Sequence, residues 1–441
     1  MTEEQRKTAI QAMEAAVGAQ HVSDDTARYS IDGLRPEFVV LPGTVEELSK
    51  TLASASQHEL AVAPWGGGTR IGLGNALNRL DAVVDLSRMG QMTQHNPADL
   101  TCTVEAGIPV ATLQKTLAKH GQFLPVDPPL PGRATIGGTL AVGTGGPLKW
   151  QFGSIRDLII GMKVVQADGT LVKSGGQVVK NVSGYDMARL HVGAIGTLGV
   201  IAEVSLRLTP LPQHEVTVIA GFETGRQCHG AALDTFHSHV LPRALVSFNP
   251  EARARLEIQG GDSPHLLAVR LAGRPMTLKR QVDECTSLYR RAGAATVVKL
   301  DDTESAAVWR QAADFGLDDK TTPLLTARAS VPPAEVPGLA DALERASENG
   351  PLRPAIVSQP GYGTVAVHWF GEDAAVDKLQ RARQAVHQAD GRMIVERCPI
   401  DVKSQLDVWD EVGEPLATMR RMKNQYDPKG VLNPGRFAGR I

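Results

Sequence analysis

The sequence predicts an α+β chain of two main domains with a closing segment that docks back on the first. Three observations predict this. Glycine is concentrated before residue 200, in segments that each adjoin a strand-like run. After Pro210 and Pro212 glycine thins out, and strand-like and helix-like runs alternate. The last stretch, 396–441, carries one helix and then two Pro-centred turns, too ordered for a loose end. A chain of 441 residues fits two or three domains. We place the boundaries at 1–211, 212–395 and 396–441.

The elements follow in order. Residues 3–20 read as an opening helix and EFVVLP (37–42) as an extended stretch. Thr44 to Glu47 is a capping-box pattern that opens a helix over 45–58. LAVAPW (60–65), DAVVDL (81–86) and LTCTVEAG (100–107) are strands, and Pro109 suits the start of a helix over 109–120. GMKVVQADGTLVKSGG (161–176) reads as a hairpin turning on Asp168-Gly169, and VIAEVSLRLTP (200–210) as a long alternating strand. Beyond it, HEVTVIAGF, HLLAVRLAG, TVVKL, PLLTARAS and TVAVHWF are strand-like, while 275–292, 332–348 and 373–389 are helix-like. That alternation predicts a sheet with helices on one face.

Composition excludes several function classes. Lys plus Arg is 46 against 48 Asp plus Glu, which leaves no basic field for nucleic acid or an anionic membrane. The N-terminus, MTEEQRKTAIQAMEAAV, has no apolar stretch behind a basic start, and no run approaches the ~20 residues of a bilayer span. Cys102, Cys228, Cys285 and Cys398 lie far apart, so neither an iron–sulfur cluster nor a structural zinc site is expected. Reduced thiols in a cytoplasm are the simplest setting.

Three glycine segments carry the chemistry. The first is Trp65-Gly66-Gly67-Gly68-Thr69, following a strand. Successive glycines can turn their N–H groups to one point and make an anion nest, for which a pyrophosphate is a natural guest. A plain strand-to-loop turn is the alternative. A Rossmann site is disfavoured, because no helix follows GGGTRIGLG, and Asp81 and Asp85 fall at the wrong distance. The second segment runs from Asp127-Pro128 to Thr135-Ile136-Gly137-Gly138, and the third is Gly193-Ala194-Ile195-Gly196-Thr197-Leu198-Gly199-Val200-Ile201. Singly each reads as a tight turn. Together they imply an extended ligand held mostly by backbone, and FAD has the right length.

In this order the segments resemble the FAD-binding domain of the vanillyl-alcohol-oxidase (PCMH-type) superfamily. The first resembles its pyrophosphate loop, the second its "ATIGG" segment along the flavin, and the third its "GS-x-GTLG(V/I)I" segment. Val179-Lys180-Asn181-Val182-Ser183-Gly184-Tyr185-Asp186 resembles the family's "KN-x-x-GYD" block. The ending, Tyr426-Asp427-Pro428 through Asn433-Pro434-Gly435-Arg436-Phe437, resembles the close of the 2-hydroxy acid branch. Within that branch the chain resembles the FAD-binding, smaller flavin subunit of bacterial glycolate oxidase. The resemblance implies a two-subdomain FAD-binding domain followed by an α/β cap domain whose sheet is covered by helices. It also implies oxidation of a small 2-hydroxy acid by hydride transfer to flavin N5. The partners it implies are a second flavin subunit and an iron–sulfur subunit, with no membrane insertion by this chain.

Two departures refine this. Members that bind flavin covalently carry His in the first loop or Cys in the second segment; neither occurs here, so the FAD is expected to be non-covalent. Many 2-hydroxy acid relatives carry a His-rich metal motif in the second domain, whereas Thr364-Val365-Ala366-Val367-His368-Trp369-Phe370 has a single His, so no metal is expected. Oxidation also needs a cation for the carboxylate and a base for the hydroxyl proton. Arg328 is the candidate cation, and an exposed strand arginine is the alternative. His368 is the candidate base, with a hydrogen-bonded core histidine as the alternative. The resemblance adds Lys180 and Tyr185 beside the flavin. Asp427 and Asn433 read as turn formers, and Arg436 either reaches the flavin or caps the fold. A flavin-bearing electron-transfer or assembly subunit, with substrate oxidised in a sister chain, is the rival reading.

Overall fold

The computed structural model describes residues 1–176, 186–318, 320–346, 353–371 and 376–441. The chain divides into two compact units, one of Met1–Gly145, Ser154–Leu211 and Asp407–Ile441, the other of Gly146–Gly153 and Pro212–Leu406. Residues 396–406, grouped from sequence with the closing segment, thus cluster with the second unit, as do 146–153 from the glycine-rich half.

The first unit holds two principal sheets. In one, Val22–Ser23, Phe38–Val40, Ala82–Asp85 and Val62–Trp65 lie side by side, the last three parallel. Parallel strands are covered on both faces and read as unbroken apolar runs. Phe38, Val40, Val62 and Val84 accordingly pack against Met13 and Leu48 of the helices Glu3–Val17 and Val45–Gln57, while Val39, Ala63 and Val83 pack with Tyr29 and Leu80. Thr44 caps its helix by accepting from Glu47 N at 3.1 Å. The capping box stays half closed, because the Glu47 carboxylate accepts from Gly43 N at 2.7 Å and from Arg88. The second sheet is antiparallel, in the order Met92–Asn96, Thr101–Glu105, Val200–Arg207, Ile159–Val165, Leu171–Gly175. Its hairpin turns where expected, with Gly169 at φ +86°, a conformation that glycine adopts without strain. The closing segment completes the unit. After the helix Pro415–Tyr426, Val62 N donates to Val431 O at 2.7 Å and Asn433 N to Val62 O at 3.0 Å, so the segment lies along the parallel sheet's edge strand.

The second unit is built on an eight-stranded antiparallel sheet. Its order is Thr296–Asp301, His214–Phe222, His265–Gly273, Ala244–Phe248, Ala355–Gln359, Thr364–Trp369, Leu325–Ser330, Arg392–Arg397. The helices Gly225–His237 and Pro275–Arg291 bury Phe222, Leu245, Leu267 and Tyr289 against one face. The opposite face is not bare: Trp309 and Phe315, in and just after the helix Asp302–Asp314, pack on Val246 and Phe248. Trp309 meets its hydrogen-bonding need there by donating to Thr217 Oγ1 at 2.7 Å.

Two core histidines set an acid limit. Burial pushes His191 down to about 4, and burial with a smaller push from His265 does the same to His229. Both folded values lie below the ordinary 6.5, so the unfolded chain binds more protons between the two. The stability these residues contribute is complete above pH 6.5 and is lost as pH falls toward 4. We expect His191→Gln to flatten the fall in unfolding free energy between pH 7 and pH 5 by ~2 kcal/mol, measured by urea titration at both pH values.

Candidate functional site

The first glycine loop follows the strand Val62–Trp65 directly. A side chain on Gly66 would overlap the Thr135 hydroxyl, and one on Gly67 would overlap the Arg133 carbonyl oxygen. Gly68 has φ +66°, and a Cβ there would lie 2.6 Å from the Trp65 ring. The missing side chains thus let this loop close onto the second segment. The Trp65 ring is buried edge-on against Tyr29, centroids 5.1 Å apart, and the Tyr29 hydroxyl donates to Asp85 at 2.6 Å.

The second segment, expected as a turn, begins a helix. Thr135 caps Ile136–Val142, its hydroxyl accepting from Gly138 N at 3.1 Å. Gly137 N donates to Ala106 O at 2.8 Å, and a Cβ at Gly137 would sit 2.6 Å from the Ala106 methyl. Upstream, Asp127 N donates to Gly145 O at 3.1 Å, which holds Asp127 and the buried Pro128 against the far end of the same stretch.

The third segment lies on the last turn of that helix. Gly193 N donates to Leu140 O at 3.0 Å and Ile195 N to Ala141 O at 2.8 Å. Gly193 has φ +79° with open space where its Cβ would be. Gly196, at φ +72°, leaves 3.2 Å between its Cβ position and the ring of Pro64, the residue before Trp65. Thr197 turns its hydroxyl onto Ala194 O at 2.8 Å, Gly199 packs under Val164, and Ile201 is buried in the strand that follows. First segment meets second, second meets third, and third returns to first.

The C-terminal segment locks this arrangement from behind, which the sequence signalled only faintly. Lys423, buried, donates to Thr197 O at 2.9 Å, Leu432 O at 2.8 Å and Asp427 at 2.6 Å. Its only visible signal was the i,i+4 spacing to Asp427. Asp427 also accepts from the main-chain N–H of Val431 and Leu432, which makes the turn expected of it. Asn433 Nδ2 donates to Ile195 O at 2.8 Å. Arg436 is buried, with burial pulling its pKa to about 10, and its guanidinium donates to Leu73 O at 2.9 Å and to Ile71 O. Of the two roles left open for Arg436, the contacts support the capping one: it ties the loop after Thr69 to the end of the chain.

In the second unit, His368 is buried, with Nδ1 3.2 Å from Thr326 Oγ1 on the neighbouring strand and its ring edge-on to Phe315 at 4.9 Å. That environment suits a core histidine. Arg328 Nε donates to Glu396 Oε1 at 2.6 Å across to the edge strand, the arginine side chain partly open and the carboxylate covered. Lys180, Asn181 and Tyr185 lie outside the described residues. Among the described residues no group of three or more His, Cys, Asp or Glu is placed to hold a metal ion, and no helix is long and apolar enough to cross a membrane.

Known proteins bear on this arrangement. Residues 36–175 match the model of an FAD binding domain, and residues 211–398 with 409–437 match the C-terminal domain of FAD linked oxidases. Glycolate oxidase subunit GlcD of Bacillus subtilis is 25% identical over 91% of this chain and 89% of its own. A D-2-hydroxyglutarate dehydrogenase of Xanthomonas citri is 27% identical over 91% and 89%, and the mitochondrial D-lactate dehydrogenase [cytochrome] of Arabidopsis thaliana 26% over 91% and 73%. Among solved structures, the 4-ethylphenol oxidase of Gulosibacter chungangensis superposes with a TM-score of 0.77 at 16% identity, covering 99% of this chain and 97% of that one, a likeness of fold. p-Cresol methylhydroxylase superposes with a TM-score of 0.74 over 99% and 97% at 17% identity.

Proposed function

Because the chain belongs to the FAD-linked oxidases, with an FAD-binding domain followed by that family's C-terminal domain, we propose that it oxidises a small 2-hydroxy acid to the 2-oxo acid. Glycolate or D-lactate is the substrate, and the electrons pass to a partner protein. The observation that carries the reading is the closure of three glycine segments on one another, from Gly67 against Arg133 to Gly196 against Pro64. The names of the relatives, all acting on 2-hydroxy acids, point to the substrate class.

FAD, when bound, supplies the hydride acceptor at N5. The residues that would hold it are Gly66, Gly67, Gly68 and Thr69 for the pyrophosphate, with Asp127, Pro128, Thr135, Gly137, Gly138 and the 193–201 segment along the rest. The open space beside Gly193 and the left-handed backbone at Gly68 and Gly196 fit such a ligand. The attachment is non-covalent. Arg328 offers a guanidinium already aimed by Glu396. Lys180 and Tyr185 keep the flavin-side roles that the family likeness implies. The glycolate oxidase relative is named as a subunit, and we propose a second flavin subunit and an iron–sulfur subunit as partners here.

A second reading, a flavin-bearing electron-transfer or assembly subunit, is favoured by the buried, Thr326-paired state of His368, which leaves the base unassigned. One experiment separates the two. The purified chain should be yellow, and anaerobic glycolate or D-lactate should bleach its flavin band. A yellow protein that no 2-hydroxy acid bleaches supports the second reading. A protein that neither carries FAD nor takes it up would refute both.

A further inference from the structure

We propose that Lys149 is a second substrate-carboxylate cation of the second unit, beside Arg328, its ammonium taking the anionic end of a small 2-hydroxy acid. The inference deepens the function proposed above and rests on it.

Lys149 reaches the second unit on the strap 146–153, which clusters there although its neighbours in sequence do not. The strap is anchored just after the residue. The Trp150 ring occupies the space where Gly361 would otherwise carry a side chain. Gln151 accepts from Arg243 Nε at 3.1 Å, and the Arg243 guanidinium lies 5.1 Å from the centre of the Phe152 ring. These contacts hold Lys149 in one place. Its Nζ lies 3.2 Å from Thr364 Oγ1 and 4.1 Å above the ring of Tyr362. An ammonium has three N–H groups. The hydroxyl takes one and the ring face another, and the third has no partner among the described residues.

Charge tells the same story. Thr364 pairs with Ser330, and Arg328 with Ala366, in the same strand pair, so Thr364 and Arg328 project from one face of the sheet. That face therefore gathers two cations, Lys149 and Arg328, around one carboxylate, Glu396. Arg328 holds Glu396 at 2.6 Å, which leaves Lys149 without a counter-ion of its own. Burial lowers the Lys149 pKa to about 8, and Arg328 adds to the fall more than Glu396 offsets it. A half-buried ammonium beside a second cation is costly until an anion joins it. A monocarboxylate balances the group, and Thr364 with the Tyr362 ring would orient the ammonium toward it.

The test uses the full chain with FAD and oxalate, a redox-inert small dicarboxylate, titrated by calorimetry. Wild type should bind oxalate. Lys149→Met should keep the wild-type flavin content and bind oxalate roughly 10- to 100-fold more weakly, the size expected for a hydrogen bond to a charged group. Lys149→Arg should recover part of that loss. A yellow Lys149→Met protein with unchanged oxalate affinity overturns the proposal while leaving the flavin assignment standing, and so does a yellow wild type that does not bind oxalate. A wild type that cannot take up FAD overturns the function itself, and calorimetry, which needs no flavin, still reads the Lys149 comparison.

Discussion

Lys423→Met should lower the stability of the first unit by about 3–5 kcal/mol, the usual cost of stranding one partner of a buried ion pair. Lys423 donates its three hydrogens to Asp427, Thr197 O and Leu432 O, and no water reaches the Asp427 side chain. Methionine fills much of the volume but leaves the carboxylate with only the N–H groups of Val431 and Leu432. Two main-chain carbonyls also lose a charged donor. Urea unfolding followed by tryptophan fluorescence reads the effect. A shift below ~1 kcal/mol would mean that the pair is a solvated surface contact, worth little. Flavin retention should fall as well, because Thr197 belongs to the third glycine segment.

Gly67→Val should cut flavin retention severalfold or more. The reason differs from the one that a phosphate nest suggests. The Gly67 Cβ position overlaps the carbonyl oxygen of Arg133, a main-chain atom that no rotamer change can move. The loop must lift off the second segment, and overpacking of this kind costs ~1–3 kcal/mol before any ligand is considered. That corresponds to an occupancy at least severalfold lower at limiting FAD. Gly72→Ala is the control: its Cβ position has no atom within 4 Å and its φ needs no glycine, so it should keep its flavin. Equal flavin-to-protein ratios in the Gly67→Val and wild-type proteins would show that the loop has been misassigned.

Much of the fold was legible because its signals are local. LAVAPW and DAVVDL become buried parallel strands, and the Asp168-Gly169 hairpin turns at the glycine whose backbone demands it. What escaped notice depends on partners far away in sequence. Met92–Asn96 is a strand only because Thr101–Glu105 pairs with it; alone, MTQHN is a polar edge with no alternation to read. Ile136–Val142 is a helix of seven residues hidden inside a glycine motif, too short for periodicity to show. The site divides the same way. The glycine segments were visible as motifs, but the atoms that require the glycines, Arg133 O, Thr135 Oγ1 and Ala106, were not. Whether His368 is a base or a core residue turns on Thr326 and Phe315, which only the folded sheet brings to it. Lys149 gave no signal, since nothing in GPLKWQF announces that this stretch leaves one unit for the other.

That the first unit is finished by Asp407–Ile441, while the second borrows Gly146–Gly153, governs how such a chain can be made and cut. A ribosome will have synthesised the whole second unit before the strand-edge residues Val431 to Asn433 emerge to seal the first. A protein truncated before Asp407 would present an open sheet edge beside Val62, a template for aggregation. Gene fragments split at the obvious boundary near Pro212 would both be incomplete, and only their co-expression could restore the native chain.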